Sequence, residues 1–201
     1  MRGSLARTLL VVGAIGSVVS GCTTTVAGTA NPVAVANTSS VPNDSEAPRV
    51  TTPLDGAPFA TKPCSVLTPA QLQALNFPSG TSDTTSAVAR FGVPGCDWVN
   101  SDTREGLIAG FLVGNKNGLS DTYRGRARWA PGYFEPTEVD GYPAVFNDLV
   151  DSRPQGECGI TVGISDTLAF TLLVQSTLGA KSCDRVKQVA SLVIQTIKSG
   201  G

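Results

Sequence analysis

Residues 134–150 read FEPTEVDGYPAVFNDLV, with the dipeptide Asp140-Gly141 near their centre. This dipeptide is a strong signal for a tight turn between two antiparallel strands. We therefore predict that residues 134–139 and 142–150 form a β-hairpin. The hairpin decides the fold class, because two strands joined in this way require an antiparallel sheet.

Further elements extend the fold on both sides of this hairpin. A second hairpin is predicted over residues 159–164 and 168–176, and two earlier strands over residues 96–100 and 106–113. Three helices are predicted: a short one at residues 69–75 opened by Thr68-Pro69, a middle one from Ser120 through Trp129, and a last one at residues 183–198 with an apolar face. The fold class is therefore α+β, an antiparallel sheet with a short N-terminal helix, a middle helix and a C-terminal helix packed on one face.

Four cysteines lie in this part of the chain: Cys64, Cys96, Cys158 and Cys183. An even number of cysteines in an exported chain implies two disulfides, for which three pairings exist. The second hairpin brings the start of its first strand close to the end of its second, so proximity favours Cys158–Cys183 and leaves Cys64–Cys96. A metal site made of these thiols is disfavoured, because the chain has no CxxC spacing and no histidine.

The amino terminus has the pattern of a bacterial lipoprotein signal. Arg2 and Arg7 precede an uncharged stretch, residues 8–21, that is shorter than the roughly 20 residues of a bilayer span. It ends in Val-Ser-Gly before Cys22, which resembles a lipobox, the motif whose cysteine receives a diacylglycerol while the chain is cut just before it. We predict lipid attachment at Cys22 and a location on the extracytoplasmic face of the cell membrane. The alternative is an ordinary secretory signal with a chance cysteine.

The segment after Cys22 is predicted to be a tether. Residues 23–60 consist mainly of Thr, Ala, Pro, Ser, Val and Asn, with Phe59 as the one aromatic residue. Such a segment cannot bury enough apolar area to offset the entropy that folding removes. The predicted organisation is a signal peptide at residues 1–21, a lipidated disordered tether at 22–60 and a disulfide-stapled α+β domain at 61–201.

Composition excludes several functions. The 201 residues include 15 Lys+Arg, 16 Asp+Glu and no histidine, so neither a Ser-His-Asp triad nor a Cys-His dyad can form. A net charge of −1 provides no basic face for nucleic acid. No catalytic residue, cofactor or metal is predicted. A pair of carboxylates from Glu135, Asp148 or Glu157 would be needed for glycoside hydrolysis, but nothing in the sequence sets their separation.

A cluster of arginines is the candidate ligand-binding site. Arg124, Arg126 and Arg128 alternate just before Trp129. On a strand they would share one face and could bind a phosphate or carboxylate, with Trp129 stacking beside it. On a helix, which we favour, they would spread around a solvated side. Separately, five aromatic residues either line a pocket for an apolar envelope molecule or fill the core: Phe111, Tyr123, Trp129, Tyr133 and Phe146.

Several segments, taken in order, resemble those of actinobacterial (mycobacterial) envelope lipoproteins of the LprB and LprC type. They are CSVLT at residues 64–68, CDW at 96–98, DGYPA at 140–144, CGITV at 158–162 and CD at 183–184. The order and spacing of the cysteines with Trp98 carry the resemblance, which covers residues 60–198. The resemblance implies lipid anchoring, two disulfides and an α+β domain, and it supplies no catalytic residues.

These observations predict a non-enzymatic surface lipoprotein that binds an envelope protein or a small apolar ligand, as an accessory or sensor module. The alternatives are an envelope enzyme, such as a carboxylate-based hydrolase, and a carrier of a lipid or small molecule. A filled core without a cavity favours the interaction module, and a deep apolar cavity favours the carrier. Two acids about 5–10 Å apart across a cleft favour the enzyme.

Overall fold

The structure is a computed structural model, and it describes residues 46–90 and 92–200. The strands among these residues are Thr81–Asp83 (β1), Gly95–Asn100 (β2), Glu105–Phe111 (β3), Tyr133–Val139 (β4), Tyr142–Asp148 (β5), Glu157–Gly163 (β6) and Ala169–Gln175 (β7). The helices are Ala57–Thr61 (α1), Pro69–Leu75 (α2), Ala87–Arg90 (α3), Leu119–Arg124 (α4) and Ser182–Ser199 (α5). Strand β1 and helices α1 and α3 were not among the predicted elements.

The described strands form one antiparallel sheet in the order β1-β2-β3-β7-β6-β5-β4. Both predicted hairpins are present, as β4–β5 and β6–β7. Asp140 and Gly141 have φ angles of 50° and 84° in the β4–β5 turn, which is the left-handed geometry that a two-residue hairpin turn needs. The predicted α+β class with an antiparallel sheet is therefore confirmed.

The main hydrophobic core lies between one face of the sheet and the C-terminal helix. Side chains alternate along each strand, so Phe170 and Leu172 face this core together with Val186 and Val193 of α5. Trp98 is fully buried in the same core. Helix α2 contacts α5, where the side chain of Gln71 donates a hydrogen bond to the Leu192 carbonyl. Gln71 and Thr68 also complete a capping box at the start of α2.

The predicted disulfides are present with the predicted pairing. Cys64 is joined to Cys96, and their Cα atoms are 4.9 Å apart. Cys158 is joined to Cys183, with a Cα separation of 5.1 Å. The first bridge ties the segment before α2 to β2, and the second ties β6 to the start of α5. Both bridges therefore attach helical segments to the same face of the sheet.

The middle helix is shorter than predicted and lies on the other face of the sheet. It begins after Gly118 rather than at a Ser120 cap, because the Asp121 carboxylate accepts hydrogen bonds from Asn117 and holds the first turn. It ends at Arg124, because Gly125, a poor helix former, follows, and a 3-10 turn covers Arg126–Trp129. Leu119 and Tyr123 of α4 pack with Val145 and Ala169, away from the main core.

The predicted boundary between tether and domain at residue 60 is wrong. The Leu54 amide donates to the Ile164 carbonyl at 2.8 Å, and Arg49 forms an ion pair with Asp166 at 2.8 Å. Phe59 on α1 is buried in the main core. An isolated segment of this composition would not fold, but its few apolar side chains gain enough free energy by docking on a core that the rest of the chain builds. The predicted signal peptide and the first part of the predicted tether, residues 1–45, lie outside the described residues.

The aromatic residues considered for a pocket occupy different places. Phe111 and Tyr133 are buried in the main core, and Phe146 packs against it. Tyr123 lies on the opposite face, where its ring meets Phe134 edge to face. These four side chains therefore fill space between elements and do not line one cavity. None of the described helices combines the length and the apolar character that crossing a bilayer requires.

Tyr133 connects β4 to β6 through a buried hydroxyl group. Its oxygen accepts a hydrogen bond from the Gly159 amide at 2.8 Å. The Arg153 guanidinium lies 4.2 Å from the ring centroid, and Glu135 and Asp151 hold it there. Burial raises the pKa of Tyr133 to about 12.

We expect stability to fall as the pH rises from 10 to 12, and Tyr133 to contribute to the fall. The unfolded tyrosine ionises near pH 10, whereas the folded one keeps its proton to about pH 12. The unfolded state therefore releases its proton first, so stability is intact below pH 10 and decreases through this window. Urea unfolding at pH 8, 10 and 11.5 measures the free energy of unfolding across this window.

The variant Tyr133→Phe provides the control for this prediction. It should lose about 1–2 kcal/mol at pH 8, because the Gly159 amide is left without its acceptor. It should then show a shallower decrease above pH 10 than the wild type. Identical alkaline slopes for the two proteins would refute the role of Tyr133.

Candidate functional site

The two ends of the sheet differ in what they contact. The β6–β7 turn receives the amino-terminal segment, through the contacts of Leu54 with Ile164 and of Arg49 with Asp166. From this turn, β7 runs seven residues to Gln175, a length of about 20 Å. Gln175 pairs with Gly106 of β3, next to the β2–β3 turn. We call the end that contains the β2–β3 turn, residues 101–104, the distal end.

Two grooves of the described surface open at the distal end. The larger, the α2–β2 groove, has a volume of about 610 Å³, and its lining includes Leu72, Phe77, Pro78 and Ser79. The smaller, the β3–β7 groove, has a volume of about 360 Å³ and is lined by Asp97, Ile108, Leu173 and Gln175 among others. Both grooves also contain Val99, Asn100 and Ser101. The end of β2 is therefore the ridge that the two grooves share.

Asn100 holds both sides of the α2–β2 groove in place. Its side-chain amide donates to the Asn76 carbonyl at 2.6 Å, which ties the end of α2 to β2. Its side-chain oxygen accepts from the amides of Asp102 and Thr103, at 3.0 and 3.2 Å, and shapes the β2–β3 turn. Asn76 itself adopts the left-handed conformation that ends α2. The groove is thus built on hydrogen-bonded backbone.

Contacts from α5 also hold the end of α2, which forms one wall of the α2–β2 groove. The Arg185 guanidinium on α5 donates to the Leu75 carbonyl at 2.8 Å and lies 3.5 Å from the Glu105 carboxylate. These contacts link α5, the end of α2 and the start of β3. The end of α2 is therefore held at a set distance from β2, and the groove between them is a preformed feature of the fold.

Acidic side chains predominate around the grooves. Asp97 lies in the β3–β7 groove, where burial and the negative charge of Asp83 raise its pKa. Asp102 borders the α2–β2 groove, and Arg104 is the cation that borders the β3–β7 groove. Glu105 is neutralised in part by Arg185. The grooves therefore present a moderately negative surface.

The neighbouring Asp83 has a structural role. Its carboxylate accepts hydrogen bonds from the amides of Thr85 and Ser86 and from the Ser86 hydroxyl. Burial opposes the ionised form, but these hydrogen bonds outweigh it and lower the pKa of Asp83. Because Asp83 holds the turn before α3, it does not form a free acid–base pair with Asp97.

The candidate arginine cluster does not form one site. Arg124 pairs with Asp121, and the Arg126 guanidinium lies 5.2 Å from the centroid of the Phe134 ring. Arg128 is exposed, and Trp129 is half-buried with its indole N–H unbonded. Neither groove is lined by any of these four residues. The 3-10 turn spreads the arginines, as a helix would.

The carboxylates considered for hydrolysis are also engaged elsewhere. Glu135 pairs with Arg153 at 2.9 Å, and Glu157 accepts a hydrogen bond from Gln175 at 2.8 Å. Burial, assisted by the charge of Glu157, raises the pKa of Asp148. None of the three lines either groove. Within residues 46–90 and 92–200, no cluster of three or more His, Cys, Asp or Glu side chains could hold a metal ion.

Sequence reasoning missed the grooves at the end of β2. The available signal was Val99, a β-branched residue next to the core residue Trp98 in a predicted strand. Alternation along the strand places Val99 on the solvent side, and its 54% exposure in the structure agrees. That signal marks an exposed strand position, but it does not reveal a groove beside it.

A family model described as a protein of unknown function (DUF3558) matches residues 17–196. No curated protein matches the chain, and no solved structure matches it.

Proposed function

This chain belongs to the DUF3558 family of proteins of unknown function, and we propose that it is a lipid-anchored binding module of the cell envelope. In this proposal it is a lipoprotein of the LprB and LprC type from an actinobacterium. A diacylglycerol on Cys22 attaches it to the extracytoplasmic face of the membrane. The distal grooves bind a partner protein of the envelope.

The observation that carries the proposal is the opposite placement of chain entry and grooves. Arg49 and Leu54 join the β6–β7 turn, whereas the grooves lie about 20 Å away at the other end of β7. In a domain attached through its amino terminus, Val99 and Ser101 then lie at the end away from the point of attachment. This is the arrangement that a partner approaching from the envelope would need.

The nature of the grooves favours binding over catalysis or transport. The core is filled by side chains such as Trp98, Phe111 and Phe170, all 1% exposed or less. A carrier of an apolar molecule would need an enclosed apolar cavity, and both grooves instead mix polar with apolar side chains at the surface. The three carboxylates considered for hydrolysis, those of Glu135, Asp148 and Glu157, line neither groove.

The proposal is tested with a photo-crosslinking amino acid at Ser101 of the full-length protein in its own host cells. We expect one envelope component to be trapped from Ser101, because this residue borders both grooves. The matched control is Gln188, which is exposed on α5 and lines neither groove. Equal yields from the two positions, or none from Ser101, would contradict a distal binding site.

The anchor is tested in the same cells with Cys22→Ala. This variant should accumulate as a heavier, unlipidated precursor that no longer partitions into detergent, and its Ser101 crosslink should weaken. Thr23→Ala is the matched control and should be processed normally. Normal detergent partitioning of Cys22→Ala would refute lipid attachment at Cys22.

A further inference from the structure

Strand β2 is longer than the strand that covers its outer edge. Strand β1 pairs only with Gly95, Cys96 and Asp97, through the register of Thr81 with Asp97. Strand β2 continues to Asn100. Before Thr81 the chain leaves the sheet and forms the other wall of the α2–β2 groove, at Pro78 and Ser79. None of the described strands therefore lies beside the edge of β2 beyond Asp97.

The hydrogen-bond pattern shows which backbone groups this edge exposes. The Phe111 amide donates to the Pro94 carbonyl at 3.2 Å, which begins the ladder between β2 and β3. Bonded pairs alternate in an antiparallel ladder, so the even-numbered residues of β2 bond to β3 and the odd-numbered residues face outward. Asp97 faces Thr81 of β1 in this way. Val99 is next, so by the same alternation its N–H and C=O face outward on the side of the α2–β2 groove that Val99 lines, and no described strand pairs with them.

The opposite edge of the sheet is protected against added strands, and this edge is not. On β4 the outward-facing backbone positions include Pro136, which has no N–H to offer. Exposed Glu135 and Glu138 flank it. Natural proteins use proline and charge in this way to prevent edge-to-edge pairing. The free segment of β2, Trp98-Val99-Asn100, contains neither a proline nor a charged residue.

The shape of the groove selects a single strand as its occupant. The free edge is recessed, because Phe77, Pro78 and Ser79 form a wall opposite Val99. The β2 edge of a second copy would carry the same wall and could not enter. One extended chain fits between the walls and could place an apolar side chain against Leu72 and Phe77. The nearby carboxylate of Asp102 favours a basic residue in that chain.

We propose that the α2–β2 groove binds an extended peptide segment of a partner protein, which adds to the sheet beside Val99 as a further antiparallel strand. The segment occupies the position that a longer β1 would take. Hydrogen bonds to the Val99 N–H and C=O supply affinity, and the apolar wall and Asp102 select an apolar side chain and a basic one. This proposal rests on the proposed function and specifies the partner of the same site.

The test uses the full chain purified in detergent and a phage-displayed library of random dodecapeptides. We expect enrichment of peptides that combine apolar and basic residues, and protection of the Val99 amide from hydrogen exchange when such a peptide is bound. Binding is then compared for wild type, Val99→Thr and Val99→Pro. Val99→Thr keeps the N–H and should bind within about twofold of wild type, whereas Val99→Pro should bind at least about tenfold more weakly.

The melting temperature shows whether Val99→Pro folds. Because the Val99 N–H is not part of the ladder, proline is compatible with this edge position, and we expect the disulfide-bonded domain to remain cooperative. If this variant fails to fold, Ser79→Tyr replaces it, since Ser79 is exposed and a tyrosine there fills the groove from the opposite wall. Ser79→Tyr should also weaken binding at least about tenfold.

The outcomes separate this proposal from the proposed function. Failure to enrich any peptide, or binding by Val99→Pro and Ser79→Tyr that equals that of the wild type, would overturn strand addition at Val99. A dimer that Val99→Pro dissociates would overturn it in favour of a second copy. A Ser101 crosslink that persists in either case would leave the distal binding module standing.

Discussion

Replacing Cys158 and Cys183 together by alanine should lower the free energy of unfolding by about 3–4 kcal/mol. The bridge closes a segment of 25 residues between β6 and α5, so its loss gives the unfolded chain more conformational freedom. Cys158 is fully buried, which adds a packing defect to the entropic loss. For a domain of this size the melting temperature should decrease by roughly 10 °C. Urea unfolding of both proteins measures the difference.

The other bridge supplies the comparison. Cys64→Ala with Cys96→Ala opens a segment of 32 residues, for which the same reasoning predicts a loss of about 3–4 kcal/mol. Mass spectrometry of the non-reduced wild type after alkylation should find no modified thiol among these four cysteines. A loss below about 1 kcal/mol for either pair of substitutions would show that the bridge contributes little to stability.

Gly156→Ala should lower the free energy of unfolding by about 2–4 kcal/mol, the second large effect. Gly156 precedes β6 with a φ of 94°, and a Cβ there would lie 1.9 Å from the Ser176 carbonyl oxygen. The two backbones meet because the Ser176 amide donates to the Gly156 carbonyl at 2.8 Å. A methyl group must therefore break this contact between the start of β6 and the end of β7. Thermal and urea unfolding measure the loss.

Gly141→Ala is the matched control. Gly141 has a similar φ of 84°, but apart from Gly141 and its two chain neighbours no heavy atom of the described residues lies within 4 Å of the position of its Cβ. Both substitutions change the entropy of the unfolded chain equally, so the difference between them reports the clash at Ser176. We expect Gly141→Ala to cost only about 1 kcal/mol. Equal losses for the two variants would contradict a steric role for Gly156.

The elements that were predicted correctly have signals confined to a few residues. Asp140-Gly141 specifies a turn geometry whatever surrounds it, and Thr68-Pro69 opens α2 through its own capping contacts. The disulfide pairing followed from the β6–β7 hairpin, because that hairpin alone brings Cys158 near Cys183. Each of these predictions needed only chain geometry over a short span.

The predictions that were wrong depended on contacts with distant residues. The boundary at residue 60 was placed too late because Phe59 docks on a core formed by segments far along the chain. The middle helix was extended to Trp129, although the break comes at Gly125 and α4 is held instead by its packing on Val145 and Ala169. Composition and local pattern contain no information on such docking.

From the sequence by itself came the α+β class, the two hairpins and the pairing of four cysteines, together with Cys22 as a predicted lipid site. Their physical causes, turn geometry, helix capping and chain proximity, act between near neighbours. The grooves at the distal end were decided by tertiary structure alone. Whether Val99 has a strand partner depends on where β1 stops, and the depth of the groove depends on where α5 holds α2. These are distances between separate parts of the chain, and only the packed core sets them.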